Sequence, residues 1–310
     1  MTTLIISSPL ARDGKSVVAA GLALTLRQAG STVRLVRSGQ SQSATIDAAT
    51  FAQLQGVRTT GSPEPLAALQ TDTDLTIVET DALASAPDDA ASLQQQGAIL
   101  VLVTRHGQAD DYTVRGAIEA MKPAAIVING VPAAALDQVS QDAESYGLPV
   151  LAVLPQDRLL AAPSFRAIAD AIQGQLSGPE DLHQEAAEWL TVGPVSAHGG
   201  IPYFDVHPDQ TVITRHDRVD IALSALRETP IGLILTGGEP QLPYVHERAE
   251  SEAFALIITP LNTADVTNRI GDLYTHTPFI GQRKLRRAVT LVQQHSNPDS
   301  LAALTQIPAS

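Results

Sequence analysis

The residues best suited to chemistry lie near the start of the chain, between a short apolar run and an amphipathic segment. They read Ser7-Ser8-Pro9-Leu10-Ala11-Arg12-Asp13-Gly14-Lys15-Ser16. A Gly-Lys-Ser triplet between a strand and a helix predicts a phosphate loop, in which backbone N–H groups and a lysine hold phosphate oxygens. In such a loop, the hydroxyl of Ser16 is expected to bind Mg²⁺. Only three of the twenty Lys and Arg residues are lysines, so a lysine would seldom occur at this position by chance. The presence of Lys15 therefore favours phosphate binding over the alternative, a helix cap with a solvated lysine.

The elements that must position this loop are indicated by apolar runs that alternate with amphipathic segments. The predicted strands are Thr3–Ser8, Thr32–Arg37, Leu75–Glu79, Ala98–Thr104, Ala124–Asn129 and Val150–Leu154. The predicted helices are Lys15–Ala29, Ile46–Leu54, Asp88–Gln96, Tyr112–Met121, Ala134–Tyr146 and Ser164–Gln173. Because the strands are apolar on both faces, we expect an α/β domain whose parallel sheet is covered by helices on both faces.

A break at Gly174, Gly178 and Pro179, followed by a short predicted helix over 181–190, places the domain boundary. We therefore predict a P-loop nucleotide-binding domain over 1–190 and a smaller α/β domain over 191–310. The predicted strands of the second domain are Val212–Arg215, Gly232–Thr236 and Phe254–Ile258. Its predicted helices are Val219–Glu228, Tyr244–Glu252, Thr263–Gly271 and Gln282–Gln294.

Composition excludes several classes of partner and site. A net charge of −13 argues against nucleic acid and anionic membranes, which need basic surfaces. The absence of cysteine excludes disulfides and thiolate metal sites, and the scattered histidines lack the spacing of a zinc site. With no signal peptide and no membrane-spanning stretch predicted, we expect a cytoplasmic protein. The basic cluster Arg283, Lys284, Arg286 and Arg287 is interpreted as a solvated helix face with intramolecular salt bridges.

The phosphate loop resembles that of the dethiobiotin-synthetase and cobyrinic-acid-diamide-synthase branch of P-loop proteins, with Ser8 in place of the first glycine. This resemblance implies Mg²⁺ ligation by Ser16, Asp47 and Glu79. It implies ATP binding by Ser8, Asp13, Gly14, Lys15, Ser16, Arg37 and Asn129, of which Asn129 would read adenine. Two family features differ, since Thr80-Asp81 replaces a glycine pair and Arg37-Ser38 replaces lysine-proline.

The whole chain resembles the N-terminal region of long bacterial phosphotransacetylases, in which a dethiobiotin-synthetase-like domain precedes a DRTGG domain. The motifs that carry this resemblance are the run 148–160, Val192-Gly193-Pro194, Asp217-Arg218 and Leu235-Thr236-Gly237-Gly238. The candidate ligand or partner residues of the second domain are Asp217, Arg218, Thr236, Gly237 and Gly238. In the alternative interpretation, Asp217 caps a helix, Arg218 pairs with an acid, and the glycines only turn the chain.

Three functions stay open at this point. The first is an ATP-binding regulatory or accessory protein without the acyltransferase domain, which forms homo-oligomers and acts with an enzyme of acetate or acetyl phosphate metabolism. The second is an ATP-dependent enzyme that activates a carboxylate by phosphoryl transfer. The third is a scaffold that has lost nucleotide binding and mediates oligomerisation. We expect no phosphotransacetylase activity from the chain itself.

Overall fold

A computed structural model describes residues 2–55, 62–64, 73–193, 203–204, 206–207, 209–238, 243–274 and 277–306. The chain divides into two compact units, Met1–Asp157 with Leu285–Ser310, and Arg158–Lys284. The first break between the units thus lies after residue 157 rather than at the predicted residue 190, and residues 285–310 group with the first unit. None of the described helices is long and apolar enough to cross a membrane.

The first unit contains a six-stranded parallel sheet in the order β2-β3-β1-β4-β5-β6. Its strands are β1 Thr2–Ser7, β2 Val33–Arg37, β3 Leu75–Glu79, β4 Ile99–Arg105, β5 Ala125–Val131 and β6 Val150–Pro155. The successive residues Leu4, Ile5 and Ile6 point to opposite faces, and all three are fully buried. Both faces of the sheet are therefore covered, and the predicted fold class is confirmed.

Five helices connect these strands in the described part of the unit. They are α1 Lys15–Gln28, α2 Gln42–Leu54, α3 Pro87–Gln95, α4 Asp111–Met121 and α5 Leu136–Ala143. The predicted continuous helix Ala134–Tyr146 consists of α5 with a 3-10 turn at either end. Helix α2 begins four residues before its predicted start, at the serine-rich segment that follows β2.

The second unit has a five-stranded sheet in the order β7-β11-β10-β9-β8, in which the described strand β7 runs antiparallel to β11. Its strands are β7 Gln175–Ser177, β8 Trp189–Val192, β9 Gln210–Arg215, β10 Gly232–Thr236 and β11 Ala255–Ile258. Its helices are α6 Arg158–Ala161, α7 Phe165–Ala171, α8 Glu180–His183, α9 Val219–Arg227, α10 Pro243–Ser251 and α11 Thr263–Leu273.

Residues 158–190 belong to the second unit because their apolar side chains complete its core. Phe165, Ile168 and Ile172 pack in one buried cluster with Ile234 and Ile257 of the central strands. The predicted helix over 181–190 is instead α8 followed by β8, which pairs with β9 in parallel. The glycine and proline residues that suggested a linker lie next to β7, an edge strand too short to show an alternating pattern.

The last residues of the chain return to the first unit. They form the end of α12, Gln282–His295, and an unpredicted helix, α13, Pro298–Gln306. Val292 packs against Gly21 of α1 so closely that a Cβ on this glycine would lie 2.4 Å from the Val292 side chain. The Asn297 N–H donates to the Leu151 carbonyl of β6 at 2.8 Å. An amphipathic helix pattern does not tell which unit will bury its apolar face.

The interpretation of the basic cluster as a solvated face is wrong for Lys284. Its side chain is 1% exposed, and its Nζ donates to the Pro278 carbonyl at 3.1 Å. Burial lowers the pKa of Lys284 to about 7, although Glu185 acts in the opposite direction. The flanking Arg283 pairs with Glu188 at 3.2 Å.

Candidate functional site

The predicted phosphate loop leaves β1 at Ser7 and enters α1 at Lys15. Gly14, the residue before the helix, has a left-handed backbone with φ 93°. A Cβ at this glycine would lie 1.9 Å from the Asn129 amide nitrogen, so a side chain is excluded. No described side chain caps α1, and its first turn holds no acidic residue. Because the first N–H groups of a helix lack intrahelical partners, this end of α1 can receive an anion.

Two polar side chains hold the loop in place. The Asp13 carboxylate is fully buried, and it accepts the Leu10 N–H at 3.1 Å and the Arg105 N–H at 3.3 Å. Burial raises the pKa of Asp13 to about 6, against the effect of these two donors. The Asn129 amide donates to the Asp13 carbonyl at 3.0 Å. Asp13 and Asn129 therefore tie the loop to the ends of β4 and β5, and adenine reading by Asn129 stays a prediction.

Lys15 turns back into the loop that precedes it. Its Nζ donates to the Ser8 hydroxyl at 3.0 Å, and that hydroxyl donates to the Leu10 carbonyl at 2.6 Å. Lys15 is only 7% exposed, and burial lowers the pKa of its ammonium group although Glu79 raises it. Ser8 thus supplies a partner for the lysine.

The predicted magnesium ligands meet beside the loop. The Ser16 hydroxyl donates to Glu79 Oε1 at 3.0 Å. Burial raises the pKa of Glu79 to about 7, with a further contribution from Asp47, and burial also raises the pKa of Asp47. Glu79 Oε2 is buried without a hydrogen-bond partner among the described residues. Two carboxylates and a hydroxyl are oxygen ligands of the kind Mg²⁺ prefers, so the residues present fit this ion.

Among the described residues, no cluster of three or more His, Cys, Asp or Glu side chains is suited to bind a metal ion. The candidate magnesium site therefore depends on two carboxylates, one serine hydroxyl and further oxygens that a bound nucleotide would supply.

Arg37 lies buried among carboxylates rather than facing the phosphate loop. Its Nε is 3.7 Å from both Asp47 Oδ2 and Glu79 Oε1, and its Nη2 donates to Asp81 Oδ1. Burial alone would lower the pKa of Arg37, but Glu79, Asp81 and Asp47 raise it above the ordinary value. Asp81 was not among the predicted site residues. The opposite charges of Arg37 and Asp81, near the ends of adjacent strands, were the signal that could have found this pair.

In the second unit, the residues of the Asp-Arg motif pair with neighbours in sequence. The guanidinium of Arg215 donates to Asp217, with Nε at 2.9 Å from Oδ1. Arg218 donates to both carboxylate oxygens of Asp220, at 3.0 and 2.9 Å. The N-cap residue of α9 is Arg218, without a side-chain cap, so Asp217 does not cap this helix.

The Thr-Gly-Gly motif at the end of β10 makes room for a histidine. The His216 N–H donates to the Thr236 carbonyl at 2.9 Å, and a Cβ on Gly238 would lie 2.4 Å from the His216 ring. Gly237 has φ 79°, and the Thr236 hydroxyl lies 2.8 Å from that of Thr263. The close approach expected from this glycine pair is thus made by His216 of the same chain, a residue that sequence reasoning did not single out.

Residues 167–273 match the DRTGG domain. The predicted DRTGG domain is therefore confirmed, and the match begins within α7. Pro194, part of one of the motifs that suggested it, lies outside the described residues.

Three solved structures are similar to parts of the chain. The CBS and DRTGG domains of the regulatory region of Clostridium perfringens pyrophosphatase, complexed with diadenosine tetraphosphate, match at 17% identity and a TM-score of 0.32. That match covers 44% of this chain and 68% of the other. The signal recognition particle receptor FtsY from Elizabethkingia anophelis matches at 16% identity and a TM-score of 0.39. It covers 50% of this chain and 59% of FtsY, which is less than two thirds of that structure. The MinC:MinD cell division complex of Aquifex aeolicus matches at 12% identity and a TM-score of 0.39. That match covers 52% of this chain and 83% of the other.

Within each unit, the predicted site residues come together at the carboxyl edge of the sheet. In the first unit this edge gathers Ser8, Asp13, Gly14, Lys15, Ser16, Arg37, Asp47, Glu79 and Asn129. In the second unit it gathers Asp217, Arg218, Thr236, Gly237 and Gly238. Carboxyl edges of parallel strands are the usual location of ligand sites in α/β folds.

Proposed function

We propose that this protein is a nucleotide-binding regulatory or accessory protein, which binds ATP or a related nucleotide through residues 8–16. The observation that carries the proposal is the buried Lys15 ammonium at the uncapped end of α1, held towards Ser8 in a loop that Asp13 fixes. Burial disfavours the charged form of a lysine, and a phosphate group placed beside it would restore that form. The helix N-terminus adds backbone donors for the same anion.

We further propose that the nucleotide binds together with Mg²⁺. Ser16, Asp47 and Glu79 would hold the ion. Glu79 Oε2, which is buried and accepts no hydrogen bond from the described residues, supports its role as a ligand. Bound Mg²⁺ would neutralise phosphate charge and offset the repulsion between the two carboxylates.

The regulatory part of the proposal depends on the DRTGG match. A DRTGG domain also belongs to the regulatory region of the Clostridium perfringens pyrophosphatase. We further propose the relation to the N-terminal region of phosphotransacetylases, homo-oligomer formation, and an enzyme of acetate or acetyl phosphate metabolism as partner. Sedimentation of the full chain with and without Mg-ATP tests whether nucleotide changes its oligomeric state. An unchanged sedimentation profile would refute nucleotide-controlled assembly.

Calorimetry of ATP binding, with and without Mg²⁺, tests the nucleotide site. Lys15→Gln should weaken binding at least tenfold, about 1.4 kcal/mol, because the ammonium group that meets the phosphates is lost. Lys122→Gln is the matched control, since Lys122 is exposed at the end of α4 and should leave affinity unchanged. Binding of ATP to Lys15→Gln at the affinity of the parent would show that the phosphate-loop assignment is wrong.

The ATP-dependent carboxylate-activating enzyme is the second candidate. The pairing of Ser16 with Glu79 beside Lys15 favours it, because phosphoryl transfer needs a cation and metal ligands together. Phosphate release from ATP, measured with a panel of small acids, tests this activity. Failure of the parent to bind ATP at all would instead support the scaffold that has lost nucleotide binding.

A further inference from the structure

Three residues at the end of β2 and in the turn before α2 direct hydrogen-bond donors at the single carboxylate of Asp81. The N–H groups of Gln40 and Ser41 donate to Asp81 Oδ2 at 2.9 and 3.1 Å. The Ser41 hydroxyl donates to Oδ1 at 2.6 Å, and Arg37 Nη2 donates to the same oxygen. Gly39 has φ 111°, and a Cβ there would lie 2.5 Å from Asp81 Oδ2. The turn is therefore shaped around the carboxylate group.

These donors are held in place by groups other than Asp81. Arg37 Nη1 donates to the carbonyls of Ser38 and Glu79, which fixes the guanidinium from behind. The Arg37 side chain is 2% exposed, and its Nε is buried without a hydrogen-bond partner among the described residues. Two backbone N–H groups, a hydroxyl and a buried guanidinium are the donor set that proteins use to bind carboxylate ligands.

The carboxylate itself comes from a distant part of the chain. Asp81 follows β3 and lies on a segment that is hydrogen-bonded to the phosphate loop. The Ser7 hydroxyl donates to the Asp81 carbonyl at 3.3 Å, and the Leu83 N–H donates to the Ser8 carbonyl at 2.8 Å.

We propose that residues 37–41 form a carboxylate-binding nest, which Asp81 occupies as a tethered internal ligand. Because the side chain is attached to the fold, its effective concentration at the nest exceeds that of a free acid in solution. Asp81 thus excludes an external carboxylate from a position beside the phosphate loop. This inference goes beyond nucleotide binding and does not depend on it, since Lys15 contributes no donor to the nest.

The test is removal of the internal ligand and replacement by formate. Asp81→Ala leaves a space of about one carboxylate group, which formate can fill. The melting temperature of this variant should therefore rise with formate concentration and reach a plateau, whereas equal concentrations of chloride should have a smaller effect. Half-saturation should occur at a concentration at least about tenfold lower than any formate effect on the parent. Asp88→Ala, an exposed aspartate in the first turn of α3, is the matched control and should respond like the parent. Arg37→Gln combined with Asp81→Ala should abolish the formate response.

Two further comparisons use the Asp81→Asn variant and inorganic phosphate. Asp81→Asn keeps the nest filled with a neutral amide and should fold without a formate response. An Asp81→Ala chain that folds only in formate supports the proposal. A chain that stays unfolded in both salts while Asp81→Asn folds overturns it, as does a natively folded Asp81→Ala chain with equal responses to formate and chloride. Inorganic phosphate as effective as formate would overturn the assignment to carboxylates. ATP calorimetry on the parent reports separately on Lys15.

Discussion

The two sheet edges that carry the candidate sites neutralise their charges in opposite ways. In the first unit, Arg37 is buried and meets three carboxylates that lie 10 to 44 positions further along the chain. In the second unit, Arg215 and Arg218 pair on the surface with carboxylates only two positions away. Buried long-range pairs cost much when one partner is removed, whereas exposed local pairs are screened by water. The comparison indicates that the first edge is fixed by its charges, while the second is fixed by backbone and packing.

Removing the buried cation is the largest expected effect. Arg37→Gln leaves Asp47, Glu79 and Asp81 without their shared partner and should reduce the free energy of unfolding by about 3–5 kcal/mol. Arg34→Gln, on the same strand, is the matched control. Arg34 pairs with Glu64 at a partly exposed position, and its loss should cost less than about 1 kcal/mol. Urea unfolding measures both. Equal losses would contradict the proposed difference between buried and exposed pairs.

The pH dependence of stability further tests whether buried charges fix the first edge. Burial raises the pKa of Glu79 from 4.5 to about 7, so between these values the folded chain holds a proton that the unfolded chain releases. The stability that this proton contributes is complete at low pH and is lost as the pH rises towards 7.

Glu79→Gln lacks this dependence, so the parent should lose stability relative to it as the pH rises, on the order of 2–3 kcal/mol. Urea unfolding at a series of pH values, without Mg²⁺, measures the difference. Glu119→Gln, at an exposed position of α4, should follow the parent throughout. A constant difference between the parent and Glu79→Gln would contradict the buried-proton explanation.

A smaller effect tests packing at the second edge. Gly238→Ala should displace the His216 ring and weaken its contact with the Thr236 carbonyl, at a cost of about 1 kcal/mol. In a His216→Ala background the same substitution should cost almost nothing, a coupling that a double-mutant cycle measures. Gly14→Ala should cost more, because it adds a strained backbone to a collision with Asn129. Independent effects of Gly238 and His216 would mean that the glycine serves another purpose.

The smallest expected effect is that of the exposed Asp-Arg motif. Arg218→Ala should leave the free energy of unfolding unchanged within error, because water solvates the exposed Asp220 carboxylate once the guanidinium is removed. Thermal and urea unfolding of the variant and the parent provide the measurement. A loss approaching that of Arg37→Gln would show that the two edges are not different in kind.

Much of the first unit could be predicted because its local patterns are strong. All six predicted strands of the first unit occur, with bounds that differ by at most two residues, since each is rich in apolar and β-branched residues. The short strands β7 and β8 were missed because three or four residues show no periodicity, and β8 carries a bulky tryptophan that a helix also accommodates. The candidate residues near Lys15 were predicted from motif and resemblance, but Asp81 and His216 gain their meaning only from neighbours distant in sequence.

The sequence by itself determined the alternation of strands and helices, the loop between β1 and α1, and the DRTGG motifs, because each depends on residues within a few positions of one another. Only the tertiary structure decided that the end of α12, with α13, joins the first unit, that Lys284 is buried, and that Arg37 is shared among Asp47, Glu79 and Asp81. These features arise where separate segments meet, and the free energy of burying a charge or an apolar face depends on which segment covers it.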